Sequence, residues 1–142
     1  MSEFRLIEES RLTRVLSSNA PHGIALLIHG YGQTRSELFG LAVTCASVGF
    51  EAVVPDLPGH GLGQESLTVE TLREFSSEWM KNSIPSLLIG FSLGARIALD
   101  LADGQPVVAL SPPVSSRFDS ETRAELMDQL RLRWAQAKSN KK

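Results

Sequence analysis

Residues 86–95 read Ser86-Leu87-Leu88-Ile89-Gly90-Phe91-Ser92-Leu93-Gly94-Ala95, and the fold turns on how this stretch is read. Leu87–Ile89 is a short apolar run of the kind that forms a strand buried on both faces. The small-residue segment that follows, LGARIALDLA from Leu93 to Ala102, predicts a helix that stops at Asp103-Gly104. Between them Gly90-Phe91-Ser92-Leu93-Gly94 spells G-x-S-x-G. Such a strand–turn–helix lifts the serine Oγ off the sheet edge on a tight turn. The glycines are needed where a side chain would strike the neighbouring strand or helix. Ser92 also opens a helix, whose free N–H groups and positive dipole end favour negative charge.

Working outward from this turn, the same alternation of short apolar runs and amphipathic stretches continues in both directions. Ile24–Ile28 is an apolar run between glycines and predicts a strand buried on both faces. Thr34 and Glu37 stand at capping-box spacing, which predicts a helix to about Val48 that ends at Gly49. Ala52–Val54 predicts a second buried strand, closed by Pro55. Thr68 is placed to cap a helix to about Lys81 with Leu72, Phe75 and Trp79 on one stripe. Val107–Leu110 reads as a fourth buried strand before Pro112-Pro113, and a last helix runs from about Asp119 to Lys138 with Leu126, Met127, Leu130 and Trp134 on one face. Phe4–Leu16 alternates only patchily and reads as two ragged strands. Buried strands alternating with helices predict an α/β protein with three α/β/α layers and a mostly parallel central sheet.

Composition agrees with one ordinary globular domain over residues 1–142. Hydrophobic residues make up 42% of the 142 and charged residues 21%, which excludes wholesale disorder. Lys and Arg total 14 against 16 acids, a net charge of −2, so the electrostatic footprint of a nucleic-acid binder is missing. The single cysteine, Cys45, excludes an intramolecular disulfide or a multi-cysteine metal site. No run approaches the ~18 apolar residues of a membrane helix. The N-terminal MSEFRLIEES lacks the basic-then-apolar layout of a signal peptide, so the cytoplasm is expected.

Two further segments carry chemistry. Leu27-Ile28-His29-Gly30-Tyr31-Gly32 closes the first buried strand, and its glycines let a loop fold so that the Tyr31 N–H faces the serine. With the N–H of Leu93, the residue after the candidate nucleophile, it would form an oxyanion hole for the tetrahedral intermediate of acyl transfer. The third segment is Val54-Pro55-Asp56-Leu57-Pro58-Gly59-His60-Gly61.

LLIHGYG, VVPDLPGHG and LLIGFSLGARIAL, in this order and spacing, resemble the α/β-hydrolase superfamily over about Ile24 to Pro113. Within it, the resemblance is to the group of serine aminopeptidases, monoglyceride lipases and carboxylesterases. It implies Ser92 as nucleophile, Tyr31 and Leu93 as backbone oxyanion donors, His29 as a structural histidine under the oxyanion loop, and Asp56 as a structural acid of the rim. A small acyl substrate is implied, and no metal or organic cofactor.

The departures from that pattern are equally informative. Members of the group carry the acid on a later strand and the histidine later still, whereas no histidine here lies beyond His60. A serine hydroxyl without a base is a weak nucleophile. His60, on the same rim as Ser92, is the candidate base within the chain, and Asp119 the candidate acid or else a helix N-cap. His22 belongs at the opposite end of the sheet. The expectation is therefore a C-terminally abbreviated α/β-hydrolase-like protein, acting weakly on an ester, thioester or amide. A non-catalytic relic that binds an acyl ligand or a protein partner is the alternative. Lacking a following strand, Val107–Leu110 is also expected to present an edge through which the chain forms a homodimer.

Overall fold

Three of the four apolar runs form the interior of one six-stranded sheet, and the fourth lies at its edge. The computed structural model describes residues 3–63, 65–82 and 84–113, together with Ala124 and Asp128. In chain order, β1 (Phe4–Glu8) and β2 (Leu12–Ser17) form a hairpin, followed by β3 (Gly23–Ile28). A 3₁₀ turn (Arg35–Leu38) then leads into α1 (Phe39–Ser47) and β4 (Phe50–Pro55). Next come α2 (Val69–Asn82), β5 (Leu87–Phe91), α3 (Leu93–Leu101) and β6 (Val107–Leu110). The strand order is β1-β2-β4-β3-β5-β6. The pairs β3/β4, β3/β5 and β5/β6 are parallel, while β1/β2 and β2/β4 are antiparallel.

The side-chain period of two explains why β3 is apolar at every position. Ala25 and Leu27 face one layer, packing with Ala42, Cys45 and Ala46 of α1. Leu26 and Ile28 face the other, against Leu93, Ile97, Ala98 and Leu101 of α3. Leu72, Phe75 and Trp79 of α2 complete that second layer, as their stripe predicts. The result is the expected α/β/α sandwich. The side chains of Leu26, Leu27 and Ile28 are wholly buried, and each contributes roughly 1.5–3 kcal/mol of apolar burial.

Local signals set the element ends. Glu37 accepts the Thr34 N–H at 2.7 Å, forming one half of the capping box. The turn it opens is 3₁₀ in geometry, and the α-helix begins only at Phe39. Thr68 Oγ1 accepts the Thr71 N–H at 3.1 Å and caps α2. Gly49, after α1, has φ +100°, and a Cβ there would strike the His22 ring. Gly104, after α3, has φ +86°.

One expectation needs correction. Val107–Leu110 is a strand, but it is not buried on both faces: Val108 is 43% and Leu110 41% exposed. Its apolar sequence resembles that of an interior strand, yet among the described strands it pairs only with β5. Of the helix expected from Asp119, Ala124 and Asp128 are described and are helical, while Asp119 and the Leu126, Met127, Leu130 and Trp134 stripe lie outside the described residues.

Candidate active site

The turn from β5 into α3 holds its serine in a backbone conformation that L-residues rarely adopt. Ser92 has φ 53° and ψ −116°, one of two non-glycine residues with positive φ among those described. Such a conformation costs on the order of 1–3 kcal/mol and persists only where the surroundings enforce it. Here they do. A Cβ at Gly90 would collide with the backbone of Gly94 and Ala95, and a Cβ at Gly94 with the carbonyl oxygens of Ile28 and His29. The two motif glycines therefore let α3 press directly onto β3 and β5. The Ser92 N–H donates to Leu110 O at 2.9 Å, and the Ser92 carbonyl accepts from Ala95 and Arg96 at 3.0 and 3.2 Å. Leu93 follows as the first residue of α3, where a backbone N–H has no intrahelical carbonyl to bond.

The loop after β3 lies against this serine. A Cβ at Gly30 would stand 3.1 Å from Ser92 Cβ and 3.2 Å from Phe91 O, so a side chain there would press on the serine turn. The loop is tied internally by Gln33: the Gly30 N–H donates to Gln33 Oε1 at 2.8 Å, and the Gln33 N–H returns to Gly30 O at 3.2 Å. Gln33 was not singled out from sequence. Its one advance signal is its place three residues after a glycine whose amide needs an acceptor.

His29 is wholly buried beneath this loop. Its Nε2 accepts the Leu57 N–H at 3.0 Å, so Nδ1 carries the proton and donates to Gly30 O at 2.8 Å. Burial pushes its pKa below the ordinary value, with the Gly30 carbonyl opposing. Asp56 Oδ1 stands 3.9 Å from His29 Nε2, but that nitrogen already serves as an acceptor and carries no charge. The charge that Asp56 faces is the Arg35 guanidinium, whose Nε lies 3.6 Å from Oδ2, and both its oxygens also hold loop backbone. Oδ1 accepts the Arg35 N–H at 2.9 Å and Oδ2 the Leu62 N–H at 3.1 Å. A buried carboxylate so engaged organises the rim.

The three segments that the sequence singled out thus converge at the carboxyl ends of β3, β4 and β5. There β3 lies between the strand that follows it and the one after that, so the chain reverses its direction of winding. Open α/β sheets hold their ligands in the crevice at such a point. A family model for the alpha/beta hydrolase family matches residues 25–140.

The chain belongs to the alpha/beta hydrolase family.

Among its relatives is a thermostable monoacylglycerol lipase of Bacillus sp. (strain H-257), 27% identical over 110 residues, which are 72% of this chain and 44% of the lipase. The magnesium-chelatase 30 kDa subunit of Rhodobacter capsulatus is 33% identical over 90 residues, 59% of this chain and 31% of the subunit. The chain thus spans less than half the length of either. An esterase of Pyrococcus furiosus shares the fold with a TM-score of 0.59 at 20% identity, covering 80% of this chain and 52% of the esterase.

For a hydrolase, the whereabouts of a base matter most, and the chain has three histidines. His22 Nε2 lies 3.1 Å from Val48 O, beside Gly49 and at the amino end of β3, away from Ser92. His29 has both ring nitrogens engaged, as described. His60 lies on the same rim as Ser92, with Nε2 accepting the Gly32 N–H at 2.9 Å and Nδ1 2.9 Å from Pro58 O. None of these bonds reaches Ser92. Asp119, the candidate acid, lies outside the described residues. No helix among the described residues is long and apolar enough to cross a membrane.

Proposed function

We propose that this alpha/beta hydrolase chain carries a serine hydrolase site, in which Ser92 attacks the carbonyl of an ester, thioester or amide. The observation that carries the reading is the Ser92 backbone at φ 53° and ψ −116°, enforced by two glycines that admit no side chain. Attack forms a bond from Oγ to the acyl carbon and pushes negative charge onto the former carbonyl oxygen. The N–H groups of Tyr31 and Leu93 are the donors proposed for that oxygen, together worth several kcal/mol of transition-state stabilisation. Collapse expels the leaving group, which takes up the serine's proton by way of solvent, and leaves an acyl-enzyme that water cleaves to the free acid and the Ser92 hydroxyl.

Turnover by these 142 residues alone is expected to be slow. The serine proton needs an acceptor, and the imidazoles of the chain bond elsewhere. A site with an oxyanion hole and no base retains only about 10³–10⁴-fold acceleration over water. The substrate class, a small acyl compound, rests on the lipase and esterase neighbours.

A fluorophosphonate probe tests the reading. Wild type is expected to label slowly and Ser92→Ala not at all, with little hydrolysis of short-chain esters by either. Equal labelling of both would remove Ser92 from the mechanism. Brisk hydrolysis lost in Ser92→Ala would show that a base is supplied and that the slow-turnover reading is wrong.

We further propose that β6 is where a second copy of the chain adds to the sheet. Its half-exposed Val108 and Leu110 and its single described strand partner support this.

A further inference from the structure

Two imidazoles bridge the loops after β3 and β4 in a reciprocal way. His29, from the first loop, accepts the Leu57 N–H of the second at 3.0 Å and donates from Nδ1 to Gly30 O of its own loop at 2.8 Å. His60, from the second loop, accepts the Gly32 N–H of the first at 2.9 Å. A backbone N–H only donates, so His60 Nε2 is unprotonated, and Nδ1–H donates to Pro58 O of its own loop at 2.9 Å. Each ring is thus the same tautomer, grounded on its own loop and gripping a backbone N–H of the other. The ring centroids lie 5.3 Å apart, and the His60 ring meets the Tyr31 ring at 5.4 Å and 78°.

Tyr31 sits between the two glycines of this loop, and both are held. The Gly30 N–H is bonded to Gln33 Oε1, and the Gly32 N–H to His60 Nε2. Gly32, at φ +74°, is exposed and has no strand or helix to hold it. The peptide that carries the Tyr31 N–H is held through Gly30 O, which accepts from His29 Nδ1 at 2.8 Å and from the Gln33 N–H at 3.2 Å, and the peptide that follows Tyr31 is held through its Gly32 N–H by His60. Loss of the His60 bond leaves that second peptide without this tie, so that Tyr31 and its N–H can drift from a developing oxyanion.

We propose that His60 is a positioning residue for the acyl-transfer site, fixing the Tyr31 amide through Gly32 rather than taking the serine proton. The role rests on the reading of Ser92 as nucleophile. His60→Gln and His60→Phe separate the two possibilities, because a Gln carbonyl accepts the Gly32 N–H but does not act as a base near neutral pH. Two readouts are needed: hydrogen exchange of the Gly32 amide, and the rate of Ser92 phosphonylation by the fluorophosphonate probe.

In His60→Phe, Gly32 exchange is expected to accelerate and phosphonylation to slow, each by about tenfold or more, the scale of losing one well-placed hydrogen bond. In His60→Gln both are expected to stay within about threefold of wild type for the same reason. Phosphonylation lost equally in both variants, with Gly32 still protected in Gln, would make His60 the base and overturn the proposal. Unchanged Gly32 exchange in Phe, in a chain with native circular dichroism, would show that the clamp does not exist. Failure of wild type to label, or labelling that persists in Ser92→Ala, would overturn the Ser92 reading and with it the catalytic purpose of the clamp. Gly32 exchange would still report the bond itself.

Discussion

His29 combines complete burial with a hydrogen bond that requires its neutral form. Burial lowers its pKa from the ordinary value of 6.5. Between the lowered value and 6.5 the unfolded chain binds more protons than the folded one, so stability rises with pH across that window. The His29 contribution is therefore full above about pH 6.5 and is lost as pH falls through the folded-state pKa. Urea unfolding at steps from pH 7.5 to 5.5 should show the midpoint falling with acid, and His29→Gln should flatten that fall. An unchanged slope in the variant would place the acid sensitivity in other groups. At this scale the sequence was readable where a motif encodes its own backbone. G-x-S-x-G states a positive φ and two close approaches, because no other residue pair allows them. It was silent on Gln33 and on the acceptor of the Gly32 N–H. Those bonds depend on how two loops far apart in sequence come to face each other, and no periodicity records that.

Strand β2 contains a local inconsistency with a measurable effect. Thr13 is wholly buried and registers with Val54 on one side and Glu8 on the other. Its hydroxyl has no hydrogen-bond partner among the described residues. An orphaned buried hydroxyl costs roughly 1–3 kcal/mol, and Val has nearly the same shape without it. Thr13→Val is expected to stabilise the chain by about 1 kcal/mol, read as a rise in urea midpoint at constant slope. A loss of stability would mean that the hydroxyl has a partner. Elements whose strands are covered on both faces were the most legible, since β3, β5 and the Ala52–Pro55 part of β4 carry no charged side chain for that reason. The hairpin β1/β2 reads as ragged because β1 is mostly exposed, so few of its positions are constrained to be apolar. For β6 the same rule misleads: an apolar run states what a strand tolerates, and whether it is interior depends on what lies beside it.

Across the whole molecule, the proposed association through β6 predicts concentration dependence. Sedimentation at high micromolar concentration should find a dimer of wild type. Val108→Lys, which sets like charges against each other at the two-fold junction, should yield a monomer. A monomeric wild type throughout that range would sink the idea. The placement of β3 has a different consequence, one that concerns time. Gly30 and Ser92 stand roughly 60 residues apart along the chain, and they meet only when β5 docks beside β3, on the side away from β4. Closing so long a loop costs entropy before any contact rewards it, so this pairing belongs to the slow end of folding. Until it occurs the serine has neither its strained turn nor its facing loop. On the proposed reading of Ser92 as nucleophile, the reactive group is assembled late, and a partly unfolded chain is expected to be inert toward acyl groups it meets.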